Sequence, residues 1–234
     1  MQLEDQRQFW NRWNAETRAL QLTEISRRQA EVVTGWLSRL GRRQLDLIEV
    51  GCGAAWFTPA LGQFGKVTAT DLSDELLAKA QLKQADVRFV AGDFMTLEFD
   101  RAGFDVAVCL EVLSHVADQP AFLARISDLL RPGGHLMLAT QNRPVLQRYN
   151  RIPPPAHGQL RRWVDKDELH ALLAPRFDVQ EIAAVTPMAD HGLPRLLASH
   201  KLNRAIALLV GNAYRNLLER YGFGWTLMAL ARKR

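Results

Sequence analysis

Short apolar runs alternate with helical patterns along most of this chain. The runs that read as strands are 45–51, 66–72, 87–93, 104–112 and 134–141. Helical periodicity lies between them, at 73–84, where Ser73 suits the N-cap, and at 119–130, where Pro120 suits the first turn. Near-continuous apolar strands separated by helices predict a parallel sheet that helices cover on both faces.

Two further strand patterns follow, at 177–185 and 225–232, and a helical pattern at about 195–220 separates them. A simple hairpin would need only a short loop there, so we predict an insertion. The first 44 residues read as two helices and precede the first strand. The predicted organisation is a helical cap at 1–44, an α/β core at 45–192, a helical lid at 193–224 and the last core strand at 225–234.

Composition places the chain among ordinary globular proteins, with 47% hydrophobic and 24% charged residues. The start, "MQLEDQRQFW", is polar and acidic, so we expect no signal peptide. Both cysteines, Cys52 and Cys109, lie in apolar segments, and a disulfide framework is not indicated. These features predict a cytoplasmic protein.

The net charge of +5 is unevenly distributed. Residues 1–140 hold 15 basic and 18 acidic residues, a balance of −3, whereas residues 141–234 hold 15 and 7, a balance of +8. A solvated basic face explains this pattern, and so does attraction to an anionic partner such as a substrate, a lipid headgroup or nucleic acid.

The stretch "DLIEVGCGAAWF" (46–57) is a strand, a glycine turn and a helix start. Gly51 and Gly53 allow the close approach of a ligand that side chains would block. A dinucleotide site needs a small third residue, but Trp56 stands there, which argues against nicotinamide or flavin dinucleotides. Glu49, just before the turn, favours a ligand with a cationic group.

Two acids follow the next two strands. Asp71 lies 20 residues after Gly51, the spacing of the acid that binds ribose hydroxyls; the alternative is that it starts the next helix. Asp93, beside Phe94, suits the amino group and ring of adenine; the alternative is a turn carboxylate. A purine, a ribose, an amino-acid moiety and a positive centre together describe S-adenosylmethionine.

The sequence resembles the class I (Rossmann-like) S-adenosylmethionine-dependent methyltransferases over roughly residues 45–142. The stretches that carry the resemblance are "LIEVGCGAAW", "TATDLSDELLAKA", "VRFVAGDF", "FDVAVCLEVLSHV" and "LLRPGGHLMLATQN". Within that family it is most similar to the ubiquinone-biosynthesis O-methyltransferase (UbiG-like) group, through "CLEVLSHV" and "ATQNR". The resemblance implies a doubly wound, mostly parallel, seven-stranded sheet whose last strand is antiparallel.

The resemblance also implies which residues meet S-adenosylmethionine and its product S-adenosylhomocysteine. They are Arg28, Glu49, Gly51, Cys52, Gly53, Asp71, Leu72, Asp93, Phe94, Leu110 and Glu111. Many members have glycine where Ala55 stands, a change that should not abolish binding. Some relatives place a second glutamate at the position of Ser114 and hold a divalent metal. Glu111 and His115 alone are too few ligands for that ion, so no metal is predicted.

Polar groups directly after a buried strand mark a candidate catalytic edge. His115 follows the fourth strand and, with an ordinary pKa near ~6.5, suits the role of general base for a hydroxyl acceptor. The alternative is a structural histidine that shapes the loop. An amine acceptor would need no base, and Glu111 could then orient it.

Substrate contacts are predicted from two regions. The N-terminal aromatic residues Phe9, Trp10 and Trp13 either pack on the core or form a lid over an aromatic acceptor. Further candidates follow the fifth strand: Asn142, His157 and Trp163. The basic amphipathic pattern at 193–220 predicts either a lid or a peripheral membrane contact.

We therefore predict an S-adenosylmethionine-dependent methyltransferase that acts on a small molecule, anionic or lipidic, at a hydroxyl. The alternatives are N- or C-methylation, RNA methylation, and a non-catalytic cofactor-binding protein. DNA is not an expected substrate, because the sequence has no N/D-P-P-Y segment of the kind found in amino-methylating DNA enzymes. No RNA-binding module is recognisable.

Overall fold

A computed structural model describes residues 3–17, 23–197 and 211–234. They form a seven-stranded sheet of order β3-β2-β1-β4-β5-β7-β6. The strands are β1 (Leu45–Val50), β2 (Gly65–Asp71), β3 (Arg88–Ala91), β4 (Phe104–Leu110), β5 (Leu130–Gln141), β6 (Phe177–Val185) and β7 (Thr226–Lys233). β7 is antiparallel to both of its neighbours, β5 and β6. The predicted fold class is thereby confirmed.

Nine helices lie within the described residues. They are α1 (Leu3–Thr17), α2 (Glu24–Leu40), α3 (Thr58–Leu61), α4 (Asp74–Gln81), α5 (Gln119–Leu129), α6 (Arg143–Tyr149), α7 (Lys166–Leu173), α8 (Gly192–Leu197) and α9 (Ala213–Arg220). Residues 198–210, which include the middle of the predicted lid, lie outside the described part. None of the described helices is long and apolar enough to cross a membrane.

Alternating side chains of the central strands supply both faces of the sheet with apolar surface. Ile48 and Val50 of β1 belong to the cluster that also holds the apolar residues of α5 and α7. Leu47, one position away, faces the other cluster, where Trp36 and Leu37 of α2 are buried. This period of two explains why the strands read as continuous apolar runs: helices cover both faces.

Two details differ from the sequence prediction. β5 begins at Leu130, so "RPGG" (131–134) belongs to an irregular strand start and not only to the helix end. The pairing shifts there: Leu130 lies opposite Phe104 and His135 opposite Val106, with Gly133 at φ +73° in the extra loop. The first helices also do more than cap the sheet edge, because the second half of α2 packs on a sheet face.

The described part of the predicted lid is anchored through Glu219 of α9. Its carboxylate accepts two hydrogen bonds from Arg28 of α2, Nη2 to Oε2 at 2.6 Å and Nε to Oε1 at 3.0 Å. The Thr186 backbone N–H, just after β6, also donates to it, at 3.1 Å. The Glu219 carboxylate therefore ties α9 both to α2 and to the end of β6.

Candidate active site

A cavity of about 880 Å³ opens at the carboxyl ends of β1, β2, β4 and β5. Parallel sheets bind ligands at this edge. α1 and α2 form part of its wall, as do residues between α6 and α7. Its volume lies toward the upper end of the ~300–1,000 Å³ range of small-molecule sites, so a cofactor and an acceptor can share it.

The glycine turn after β1 forms one wall of this cavity. Gly51 has φ +75° and Gly53 has φ +56°, in the left-handed region that glycine tolerates. A Cβ on Gly51 would stand 2.2 Å from Cγ2 of Val112, so the turn packs directly against the segment that follows β4. Ala55 also has a positive φ, +55°, which explains why glycine suits this position in relatives.

We expect Gly51→Ala to lower the free energy of unfolding by at least ~2 kcal/mol, because left-handed strain of ~1–2 kcal/mol adds to the clash with Val112. Thermal unfolding and titration with S-adenosylmethionine measure the effect, and we expect a loss of affinity of at least ~10-fold. The double variant Gly51→Ala/Val112→Ala removes the clash. Gly51→Ala should therefore cost less stability in the Val112→Ala background than in wild type. Wild-type affinity in Gly51→Ala would contradict the proposed role of the turn.

The acids predicted for ribose and adenine, Asp71 and Asp93, both line the cavity. Asp71 accepts hydrogen bonds from the backbone N–H groups of Gly53, at 2.7 Å, and Ser73, at 3.0 Å. Its carboxylate therefore fixes the glycine turn and stands at the cavity wall. Asp93 accepts from Met95 N–H at 3.0 Å, and its neighbour Phe94 packs edge-on against Phe122 with 5.3 Å between ring centroids.

Glu49 lies at the base of the cavity and is buried. Thr58, at the start of α3, donates its hydroxyl to Oε2 of Glu49 at 2.5 Å. A buried carboxylate beside the glycine turn suits a positively charged ligand group, as the sequence predicted.

Glu111 adopts an unusual backbone conformation at the exit of β4, with φ +64°. Its Oε1 accepts from Nε2 of Gln29 in α2, at 2.5 Å, and from Oγ1 of Thr226 in β7, at 3.2 Å. Burial raises the pKa of Glu111 to about 7, and the two hydrogen bonds oppose this shift. Strained backbone and a perturbed carboxyl are both common at functional sites.

Because the folded-state pKa of Glu111 lies above its ordinary value of 4.5, the folded protein binds this proton more tightly than the unfolded chain. The resulting stability is present below about pH 4.5 and is lost as the pH rises through about 7. Gln at this position stays neutral and can still accept from Gln29 and Thr226. We therefore expect Glu111→Gln to be more stable than wild type at pH 8, by up to ~3 kcal/mol, and about equal to it at pH 4.5.

Chemical denaturation across this pH range measures the difference between Glu111→Gln and wild type. Glu98→Gln, which changes an exposed carboxylate, serves as the control. A stability difference that is constant from pH 4.5 to 8 would show that Glu111 is not a buried, titrating group.

His115 lies in the short 3-10 turn Leu113–His115, with its ring at the cavity wall. Its Nδ1 lies 2.7 Å from the carbonyl oxygen of Leu160, which can only accept, so Nδ1 carries the proton and Nε2 is left as a base. Burial lowers the pKa of His115, and the nearby positive charge of Arg161 lowers it further. Trp10 of α1 packs edge-on against the His115 ring, with 4.6 Å between the ring centroids.

Most of the predicted site residues line this one cavity. They are Trp10, Trp13, Glu49, Gly51, Gly53, Asp71, Leu72, Asp93, Phe94, Leu110, Glu111, His115 and Trp163. Phe9 and Cys52 are buried behind the wall, and Phe9 packs edge-on against Trp10. Three other candidates are not brought to the cavity: Arg28, Asn142 and His157.

Each of these three side chains has another partner. Arg28 binds Glu219, as described above. Asn142 donates from Nδ2 to the carbonyl oxygens of Gly224, at 2.8 Å, and Gly222, at 3.3 Å, and so fixes the approach to β7. His157 is exposed, with its Nε2 3.8 Å from Asp5.

Sequence reasoning missed several residues of the cavity wall, among them Gln29 and Trp225. Gln29 is buried in α2 and Trp225 directly precedes β7. A buried glutamine on an amphipathic helix was the signal available for Gln29. No group of three or more His, Cys, Asp or Glu side chains in the described ranges is arranged to hold a metal ion.

Comparison with known proteins agrees with this geometry. Residues 48–138 match the family described as methyltransferase domain. The ubiquinone biosynthesis O-methyltransferase of Xanthomonas axonopodis pv. citri (strain 306) is 34% identical over 138 residues, which cover 56% of this chain and 56% of that protein. The match thus spans about half the length of the curated relatives.

Solved structures share the fold over nearly the whole chain. The N-methyltransferase NodS from Bradyrhizobium japonicum WM9, in complex with S-adenosylhomocysteine, aligns over 98% of both chains with a TM-score of 0.65 and 16% identity. The 1,6-didemethyltoxoflavin-N1-methyltransferase of Burkholderia thailandensis, with that substrate and S-adenosylhomocysteine bound, aligns over 97% of this chain and 86% of the other, with a TM-score of 0.62 and 22% identity.

The residues present fit S-adenosylmethionine. Gly51 and Gly53 of the glycine turn line the cavity, one acid stands at the end of β2 and another just beyond β3, and Glu49 lies beside the turn. Residues 48–138 of this chain therefore match the methyltransferase-domain family, and the seven-stranded sheet shares the Rossmann-like fold of the solved methyltransferases described above.

Proposed function

We propose that this protein transfers the methyl group of S-adenosylmethionine to a hydroxyl group of a small, planar acceptor. The observation that carries the proposal is the hydrogen bond that fixes the tautomer of His115. Its Nδ1–H is committed to Leu160, so the neutral ring presents Nε2 as a proton acceptor. It does so in the same cavity as the glycine turn and Asp71.

S-adenosylmethionine supplies an activated methyl group on a positively charged sulfur. The glycine turn and Asp71 would hold its amino-acid and ribose parts, and Asp93 with Phe94 would receive the adenine. His115 would take the hydroxyl proton at Nε2 as the acceptor oxygen attacks the methyl carbon, and S-adenosylhomocysteine would be the leaving group. Holding both reactants in this geometry and excluding water supply much of the rate enhancement.

Aromatic side chains make the acceptor side suited to a flat, apolar molecule. Five of the chain's six tryptophans line the cavity, and Trp10 and Trp13 of α1 are among them. Trp10 contacts both Trp13, at 5.7 Å between ring centroids, and His115. Aromatic walls of this kind bind planar ligands by stacking and edge contacts.

Relatives support hydroxyl and amine acceptors in different ways. The curated proteins similar in sequence are named as O-methyltransferases, whereas the two structural neighbours described above are named as N-methyltransferases. We favour the hydroxyl because an amine that arrives neutral would not need the base that His115 provides. Membrane contact through residues 193–220 stays a prediction, since 198–210 lie outside the described residues.

Methylation assays with matched acceptors test the proposal. The full chain is incubated with S-adenosylmethionine and either 3,4-dihydroxybenzoate or 3,4-diaminobenzoate, and mass spectrometry identifies the methylated products. We expect O-methylated dihydroxybenzoate. Methylation of the diamine alone would establish the N-methyltransferase alternative, and bound cofactor without methylation of either compound would contradict the proposal.

A further inference from the structure

Arg161 is a partly buried cation whose described contacts are all with neutral groups. Its Nη1 donates to the carbonyl oxygen of Pro153 at 2.6 Å, and its Nη2 donates to Oε1 of Gln159 at 2.7 Å. Burial lowers the pKa of Arg161, and no carboxylate within the described ranges offsets that cost. A guanidinium keeps its charge in proteins, and its neutral hydrogen-bond partners offset the cost of burial less well than an anion would.

Charge is divided between the two sides of the cavity. Its wall carries the carboxylates of Glu49, Asp71, Asp93, Glu111 and Asp118. The first four belong to the proposed cofactor side. Arg161 is the one Lys or Arg side chain among the described lining residues. The acceptor side is therefore the positive side, and an acceptor with a negative charge would fit it.

Arg161 also stands beside the groups that would handle the acceptor. Its guanidinium carbon lies 5.6 Å from the ring centroid of Trp163, which lines the same cavity. Both Arg161 and His115 line this cavity, and the charge of Arg161 contributes to the lowered pKa of His115. An anion held by Arg161 would lie near both the base and an aromatic surface.

We propose that the acceptor is a hydroxylated aromatic acid whose carboxylate is bound by Arg161. This inference rests on the proposed function and specifies its substrate class. A single guanidinium on a wall that also holds several carboxylates matches one negative charge better than two, which favours a carboxylate over a phosphate. The planar guanidinium can pair with both carboxylate oxygens while the ring lies along the tryptophan-lined wall.

Calorimetric titration in saturating S-adenosylhomocysteine tests this binding without requiring turnover. The probes are 3,4-dihydroxybenzoate and its neutral isostere 3,4-dihydroxybenzamide. We expect wild type to bind the benzoate at least ~10-fold more tightly than the benzamide, as one charge-assisted pair predicts. Arg161→Gln should bind the two compounds equally, and Arg161→Lys should retain part of the preference.

Arg162→Gln is the matched control, since Arg162 is exposed and is not among the lining residues; its side chain donates to the carbonyl of Ala117. It should keep the full preference for benzoate. Equal binding of both probes by wild type or an unchanged preference in Arg161→Gln would overturn the inference while leaving the proposed function standing. Failure of both probes to bind would count against both the inference and the proposed function. Failure of wild type to bind S-adenosylhomocysteine would overturn both.

Discussion

Replacing Asp71 with alanine should weaken the binding of S-adenosylmethionine about 100-fold. The Asp71 carboxylate accepts hydrogen bonds from Gly53 and Ser73, and we propose that it also accepts from the ribose hydroxyls. Hydrogen bonds to a charged group contribute ~1.5–3 kcal/mol each. A loss of about 3 kcal/mol corresponds to roughly 100-fold in the dissociation constant. Isothermal titration calorimetry with S-adenosylmethionine measures it.

Two further variants separate the charge of Asp71 from its shape. Asp71→Asn keeps one acceptor oxygen and should lose affinity to an intermediate extent. Asp74→Ala removes an exposed acid from the same region, with an oxygen 3.8 Å from Arg7 Nη1, and should leave the dissociation constant unchanged. Affinity in Asp71→Ala within twofold of wild type would refute the assignment of Asp71 as the ribose ligand.

Replacing His115 with alanine should lower kcat about 10²–10³-fold, the usual contribution of a general base. The KM for S-adenosylmethionine should change little, because His115 lies on the acceptor side. Since burial and Arg161 lower the pKa of His115, the ring is neutral at pH 7. The wild-type rate should therefore fall only as the pH drops through a value below ~6.5, and the alanine variant should lack this acidic limb.

A structural role of His115 predicts a different result. Asparagine can donate to Leu160 as Nδ1–H does, but it cannot accept the proton. His115→Asn should therefore match the alanine variant in rate if His115 is the base, and should recover most of the activity if the histidine only shapes the loop. His157→Ala, at an exposed site, is the control. Methylation rates between pH 5 and 9 distinguish the outcomes.

The sheet and the cofactor side could be predicted from sequence because local rules fix them. Continuous apolar strands, Gly51 and Gly53 in the first turn, and Asp71 at a fixed interval all reflect short-range geometry. The structure places Gly51, Gly53 and Asp71 together at the cavity wall. The strands β6 and β7 could be predicted from their apolar runs, although only the resemblance predicted that the last strand is antiparallel.

Contacts between distant segments could not be predicted in this way. The hydrogen bond from Gln29 to Glu111 joins residues 82 positions apart. The pair of Arg28 and Glu219, 191 positions apart, depends on how α9 docks against α2. Arg28 was assigned to the cofactor by loose spacing, but tertiary packing gives its side chain another partner. The charge on Arg161 became informative only when its neutral partners were visible.

Titration of the wild-type protein with S-adenosylmethionine tests the central claim most directly. The geometry of the glycine turn, Asp71 and Asp93 predicts saturable binding of one molecule per chain, and S-adenosylhomocysteine should compete for the same site. NAD should not bind, because Trp56 occupies the position where a dinucleotide site needs a small residue. Absence of S-adenosylmethionine binding by the folded wild-type chain would contradict the account.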